Sequence, residues 1–165
     1  MDPLASALLA KIGEQIERTE HLIRLLPADR IDWAPAILGA WTAGGLLGHL
    51  LECLAGFCAV LAAADPVLRE RLSPLRNLPV NHRCTPAVAL DRIAVYRTAI
   101  EEGFARLDDA RLAGRIPTVF VPEGESLATL LLGNLEHLIN HKHQLFMYLK
   151  LIGAAVSSAD LYRFR

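Results

Sequence analysis

The side chains in this chain best placed to do chemistry are histidines. His137 and His141 stand four apart in Glu136-His137-Leu138-Ile139-Asn140-His141-Lys142-His143-Gln144. An α-helix turns once every 3.6 residues, so side chains four apart project from one face, one above the other, and two imidazoles so placed can share one metal ion. Gln144 and Tyr148 continue that stripe, on a segment whose other positions are largely Leu, Ile, Phe and Met. Polar groups gathered on an otherwise apolar face need partners or a ligand. His49 is the natural third member. It lies in Leu46-Leu47-Gly48-His49-Leu50-Leu51-Glu52, among residues of core type. Without a partner, a polar group there would cost on the order of 1–3 kcal/mol. Glu52 and Cys53 follow at i+3 and i+4, on the same helical face, and Gly44, Gly45 and Gly48 are expected to keep space open beside His49.

Three neutral imidazoles with no carboxylate among them suit Zn(II), with Ni(II) or another borderline ion as the alternative. A di-iron carboxylate centre is excluded, because it needs inward Glu residues and Glu-x-x-His pairs, and no Glu-x-x-His occurs in the sequence. Three protein ligands leave a coordination position vacant, as in catalytic rather than structural zinc, and a water or thiol there loses its proton more easily. Spacing alone leaves a plainer reading open: a surface pair or a hydrogen-bonded core pair at 137 and 141, and a satisfied core histidine at 49. Cys53 reads as a small buried hydrophobe, with a fourth ligand or reactive thiol as the alternative. Glu52 can orient a ligand imidazole, accept a proton near the metal or form a salt bridge. His82 reads as a solvated loop residue and His21 as a boundary residue; Cys58 and Cys84 have no evident partner.

Four long helical patterns must position these groups. The first is expected from about Pro3 to Leu26, stopping before Pro27. Trp33 and Pro35 fall in a connector. The second opens with Thr42 as N-cap and runs to Ala64 before Asp65-Pro66. Residues 65–84 form a long connection with a short turn at Val67 to Leu72, a link long enough to cross a bundle. Thr85-Pro86 is an N-cap followed by proline at the first helical position, starting a third, partly exposed helix that reaches about Leu107. A loop from Gly114 to Glu125 carries Pro117 and Pro122 around an apolar patch suited to an extended segment. Ser126 caps the fourth and longest helix, which stops at Gly153.

Composition sets the outer limits. The 165 residues make one domain, 1–165, with no second domain needed. Hydrophobic content of 53% with only 6% aromatics, mostly Leu, Ala and Ile, favours an all-α fold. Lys plus Arg (17) nearly balances Asp plus Glu (18), with no basic block, so nucleic acid is not an expected partner. An odd three cysteines fit a reducing compartment, and the N-terminal residues lack a signal-peptide pattern, which together point to the cytoplasm. The one segment apolar enough to suggest a membrane span, Gly44 to Ala64, holds His49 and Glu52 and lacks basic flanks, so a core helix and no membrane are expected.

At Trp41-Thr42 with Gly48-His49-Leu50-Leu51-Glu52, and at His137-x-x-x-His141-Lys142-His143-Gln144 running on to Tyr148-Leu149-Lys150-x-x-Gly153, the chain resembles the DinB-like superfamily of metalloenzymes. That superfamily includes thiol-dependent S-transferases and mycothiol-dependent maleylpyruvate isomerases. Asp32-Trp33 and Pro35 echo its loop before the second helix. The resemblance implies an up-down-down-up four-helix bundle, a divalent ion on His49, His137 and His141, and a homodimer. The first expectation for function is a metal-dependent enzyme in which the ion activates a low-molecular-weight thiol or water for transfer to, or hydrolysis of, a small-molecule substrate, with Glu52, Gln144 and Tyr148 as pocket candidates in unassigned roles. The second expectation, from another class, is a non-catalytic, dimeric metal-binding or stress-associated protein. One departure stands out: where the family usually reads His-Arg-Gly-Gln, this chain has His141-Lys142-His143-Gln144, with His143 expected off the ligand face.

Overall fold

The structure is a computed structural model and describes residues 2–118 and 121–162. Among the described residues it is mostly helical, 72% helix, made of three short 3₁₀ segments and seven α-helices. Four are long: α1 (Pro3–Arg24), α2 (Ala43–Ala64), α4 (Pro86–Phe104) and α6 (Leu127–Leu151). Three are short: α3 (Pro66–Leu72), α5 (Asp109–Ala113) and α7 (Ser158–Leu161). α2 packs on both α4 and α6, and α1 packs on the same two helices. The three expected caps form: the Thr42, Thr85 and Ser126 hydroxyls accept from the amides of Gly45, Val88 and Thr129 at 3.1, 3.3 and 3.0 Å. Each satisfies an amide that the first helical turn would otherwise leave unpaired.

Two helices end earlier than periodicity suggests. α1 stops at Arg24, and the amides of Leu25 and Leu26 turn back to carbonyls three residues earlier, because Pro27 disfavours helical geometry at the residue before it. α4 stops at Phe104 and closes with the same tighter bonds at Arg106 and Leu107. Gly153, at φ +83°, sits past the end of α6, where a left-handed residue is needed.

α2 supplies the centre of the core. Leu46, Leu47, Leu50, Leu51, Leu54 and Phe57 are all essentially inaccessible. It is the one described helix long and apolar enough to cross a membrane, and two-thirds of its most apolar window, 67%, is buried inside the molecule. That burial is the pattern of a core helix.

The glycines of α2 correct one expectation. Gly44 and Gly48 do not hold space open beside His49. A Cβ at Gly48 would stand 2.4 Å from the Arg83 amide nitrogen and the His82 carbonyl carbon, and one at Gly44 would stand 3.1 and 3.2 Å from the carbonyl oxygens of Ile31 and Cys84. The glycines admit the two connecting segments, which bond the helix start directly: Gly44 N–H donates to Ile31 O at 2.8 Å, Ala43 N–H to Trp33 O at 2.8 Å, and Cys84 N–H to Gly44 O at 3.2 Å.

The remainder was not visible as periodicity. A two-residue antiparallel pair joins β1 (Arg115–Ile116) to β2 (Glu125–Ser126), with Arg115 opposite Ser126. It flanks the expected extended patch, part of which, residues 119–120, lies outside the described residues. At the C-terminal end, α7 carries a complete capping box between Ser157 and Asp160.

Candidate metal centre

Packing of α2 against α6 brings the two histidine-bearing stretches together. His49 Nε2 lies 3.0 Å from His137 Nε2 and 3.1 Å from His141 Nε2, and the His137 and His141 ring centroids are 4.8 Å apart. Three nitrogens from positions 88 and 92 residues apart in sequence converge on one point. Cys53 joins two of them from one turn further along α2: its Sγ and the donor nitrogens of His49 and His137 lie within 4.8 Å of one another, a group that could hold a metal ion and that does not include His141.

The surrounding hydrogen bonds decide what those nitrogens offer. His49 Nδ1 lies 2.8 Å from Glu52 Oε2. A carboxylate only accepts, so Nδ1 carries the hydrogen and Nε2 of the neutral ring presents a lone pair. For His141 the same conclusion comes through a chain of three groups. The Trp41 carbonyl only accepts, so the Tyr148 hydroxyl 3.0 Å away donates to it. The Tyr148 oxygen then accepts from Gln144 Nε2 at 3.4 Å. That leaves Gln144 Oε1 to accept from His141 Nδ1–H at 2.8 Å, and His141 Nε2 also presents a lone pair.

The His49 and His141 lone pairs, aimed at one another at 3.1 Å, repel unless a cation sits between them, while His137 Nε2, 3.0 Å from His49 Nε2, either donates its own hydrogen there or adds a third lone pair. A shared proton is one cation that would serve. It is disfavoured because burial, first of all, holds the His137 and His141 imidazoles below their ordinary range, with neighbouring imidazoles adding to the effect. A divalent metal is the other. With metal–nitrogen bonds of 2.0–2.1 Å, two ligand nitrogens stand roughly 2.9 Å apart at a right angle and roughly 3.3 Å apart at the tetrahedral angle. The observed separations fall between these, so the donor set fits one ion.

Glu52 is half-exposed, its side chain 49% accessible against 20% for His49, so the centre reaches solvent on that side. Trp41, itself 41% exposed, lies against two of the rings, its centroid 4.4 Å from that of His49 and 5.5 Å from that of His141. In the sequence Trp41 stands out as part of the family-like Trp41-Thr42 pair ahead of the histidine-bearing helix, with no contact to the histidines expected of it. Tyr148 is buried, packed edge-on against Trp33 at 5.3 Å. Burial, with the charge of Glu52 adding, pushes the Cys53 thiol up to about 12.

The other histidines fall elsewhere. His21 pairs with Asp160 at 2.8 Å, His82 is exposed after a 3₁₀ turn, and His143 is exposed and stacks on Phe146, off the ligand face as expected. Lys142, beside His141 in sequence, is buried on the opposite side of α6, where it donates to Gln15 Oε1 at 2.8 Å. Two open cavities of about 330 and 340 Å³ lie at the far end of α2, lined by Ala59, Ala62 and Arg69 and by Ala64, Arg111 and Leu127 among others.

Fold and site together define a helical protein with a three-imidazole cluster in the seam between two long helices. The sequence matches the DinB superfamily over residues 12–145, and the chain belongs to that family. Among solved structures it is similar to a member of the DinB family from Exiguobacterium sibiricum (TM-score 0.69, 23% identity, 98% of this chain and 99% of that one). It is similar also to a DinB-like protein from Bacillus subtilis (TM-score 0.69, 19% identity, 90% and 93%). A third likeness is to the mycothiol-dependent maleylpyruvate isomerase (TM-score 0.63, 12% identity), where it covers 96% of this chain and 64% of the isomerase. No curated protein matches.

Proposed function

We propose that this chain is a metal-dependent enzyme of the DinB superfamily, binding one divalent ion, Zn(II) or Ni(II), through Nε2 of His49, His137 and His141. The reaction class is transfer of a low-molecular-weight thiol to a small molecule, or hydrolysis of one. The observation that carries the reading is the convergence of nitrogens whose protons are held on the far side of at least two rings, by Glu52 and by Gln144. Hydrogen bonds of that kind fix the tautomer and raise the basicity of a ligand imidazole.

A divalent ion held there would supply Lewis acidity, lowering the pKa of a water or thiol bound to it. The chain's own groups do the rest. Glu52 holds the His49 proton and, being half-exposed, has a carboxylate oxygen available to receive a proton from a reacting group at the open side. Gln144 and Tyr148 tie His141 to the Trp41 carbonyl, so the loop before α2 and the last long helix move as one. Trp41 packs over two of the imidazoles and would help hold their ring planes. The thiol co-reactant is supported by the likeness to the isomerase, whose name specifies mycothiol. The same reading takes the four long helices as an up-down-down-up bundle, the protein as a cytoplasmic homodimer, and its ligands as small molecules rather than nucleic acid or membrane.

The test is consumption of free thiol by metal-loaded protein, offered a panel of low-molecular-weight thiols with small electrophiles and compared with His141→Ala. Turnover in wild type alone supports the enzyme. Metal binding without turnover across the panel favours the second reading, a non-catalytic dimeric metal-binding or stress-associated protein. In favour of that reading, two open cavities lined by Ala59, Ala62 and Arg69 and by Ala64, Arg111 and Leu127 lie at the far end of α2 from the histidines.

A further inference from the structure

Cys53 has no role in a three-histidine site, yet it stands where a fourth ligand would. It follows His49 by four residues on α2, on the same helical face, and its sulfur groups with the His49 and His137 nitrogens within 4.8 Å. Ligands of one ion, with metal–sulfur near 2.3 Å and metal–nitrogen near 2.0–2.1 Å, place nitrogen and sulfur roughly 3.1–3.5 Å apart. The thiol is within about an ångström or two of that shell, on a side chain with a single rotatable bond to the sulfur. It is also 1% exposed, so it faces the centre from the core side while Glu52 marks the open side.

From this placement we infer that Cys53 is an inner ligand of the ion beside His49 and His137, so that the centre is a mixed nitrogen–sulfur set selective for thiophilic metals. The inference rests on the three-imidazole reading and deepens it. On binding, the S–H bond breaks, a metal–sulfur bond forms, and the proton leaves to water, so ion uptake releases one more proton than an all-histidine site would. Thiolate and imidazole together suit Zn(II), Co(II) and copper and disfavour Mg(II), Mn(II) and other hard ions that want oxygen. A co-reactant thiol would reach the ion from the open side that Glu52 marks, away from the buried sulfur.

Cobalt substitution separates the two layers of the argument. Metal-free protein titrated with Co(II) should develop visible ligand-field bands together with a near-ultraviolet sulfur-to-cobalt charge-transfer band at one ion per chain. Cys53→Ser and Cys53→Ala should keep the ligand-field bands, lose the charge-transfer band and bind about tenfold or more weakly. Cys58→Ser and Cys84→Ser should keep both, which assigns the sulfur even where a Cys53 variant folds poorly. Wild type that binds Co(II) without a charge-transfer band overturns the cysteine ligand and leaves the histidines standing. Wild type that binds no Co(II) overturns both.

Discussion

Among the described residues, two polar clusters in this apolar protein are made in opposite ways. Around Asn81, in the long connection, donors meet acceptors: its two amide hydrogens face the carbonyls of Leu75 and Arg76, both at 3.1 Å, and its oxygen faces the Tyr96 hydroxyl at 2.6 Å. Nothing further is required there, and the cluster's effect is to fasten the connection to α4. Between α2 and α6, acceptors meet acceptors, since His49 and His141 keep their hydrogens on Glu52 and Gln144 and turn lone pairs toward each other. A matched cluster completes a fold, whereas a mismatched one needs a cation from outside the chain.

The largest effect expected of that contrast is at His49. His49→Ala should weaken divalent metal binding by on the order of a hundredfold or more, measured by calorimetric titration, since loss of a supporting residue alone commonly costs 10- to 100-fold. The melting temperature of the metal-free protein should barely fall. A large loss of metal-free stability would mean that the histidines form an ordinary structural cluster after all.

Next comes the stabilisation of wild type by metal. An ion at about 100 times its dissociation constant should stabilise the fold by about 2.7 kcal/mol, which for a chain of this size is a rise of roughly 5–10 °C in calorimetry. Chelator should abolish it. Somewhat smaller is the effect of Gln144→Leu, which frees the His141 tautomer. It should weaken metal binding by about 10- to 100-fold while leaving helix content unchanged by circular dichroism.

Tyr96→Phe sharpens the comparison from the other side. It removes one hydrogen bond at Asn81 and should cost about 1 kcal/mol in denaturant unfolding, with metal affinity unchanged. The smallest effect is on pH. Imidazoles held below their ordinary range in the folded protein bind fewer protons than they do unfolded, so metal-free stability should fall as pH drops through the ordinary histidine range near 6.5. That slope, read by denaturation at several pH values, should flatten in the double variant His137→Asn, His141→Asn.

How much of this was readable beforehand depended on whether the signal was local. The caps at Thr42, Thr85 and Ser126 and the stop at Gly153 were legible because each is a single residue meeting an unpaired backbone group of its own helix. The face shared by His137, His141 and Gln144 was legible for the same reason, as helical spacing. Tertiary encounters were not. Gly48 looks like room for a ligand until the 82–84 segment is seen lying on it, and nothing local pairs Lys142 with Gln15, 127 positions earlier, which accepts from its ammonium. Cys53 was weighed mainly as a core hydrophobe because only the approach of α6 brings it to the same point as His137. The meeting of His49 with the pair on α6 was inferred from core-type neighbours and from family resemblance, since no local rule brings α2 beside α6.

The most direct measurement is the metal content of protein purified without a histidine tag, by elemental mass spectrometry, for wild type and His141→Ala. The account predicts about one Zn or Ni per wild-type chain and background in the variant. The same low, substoichiometric content in both would contradict it.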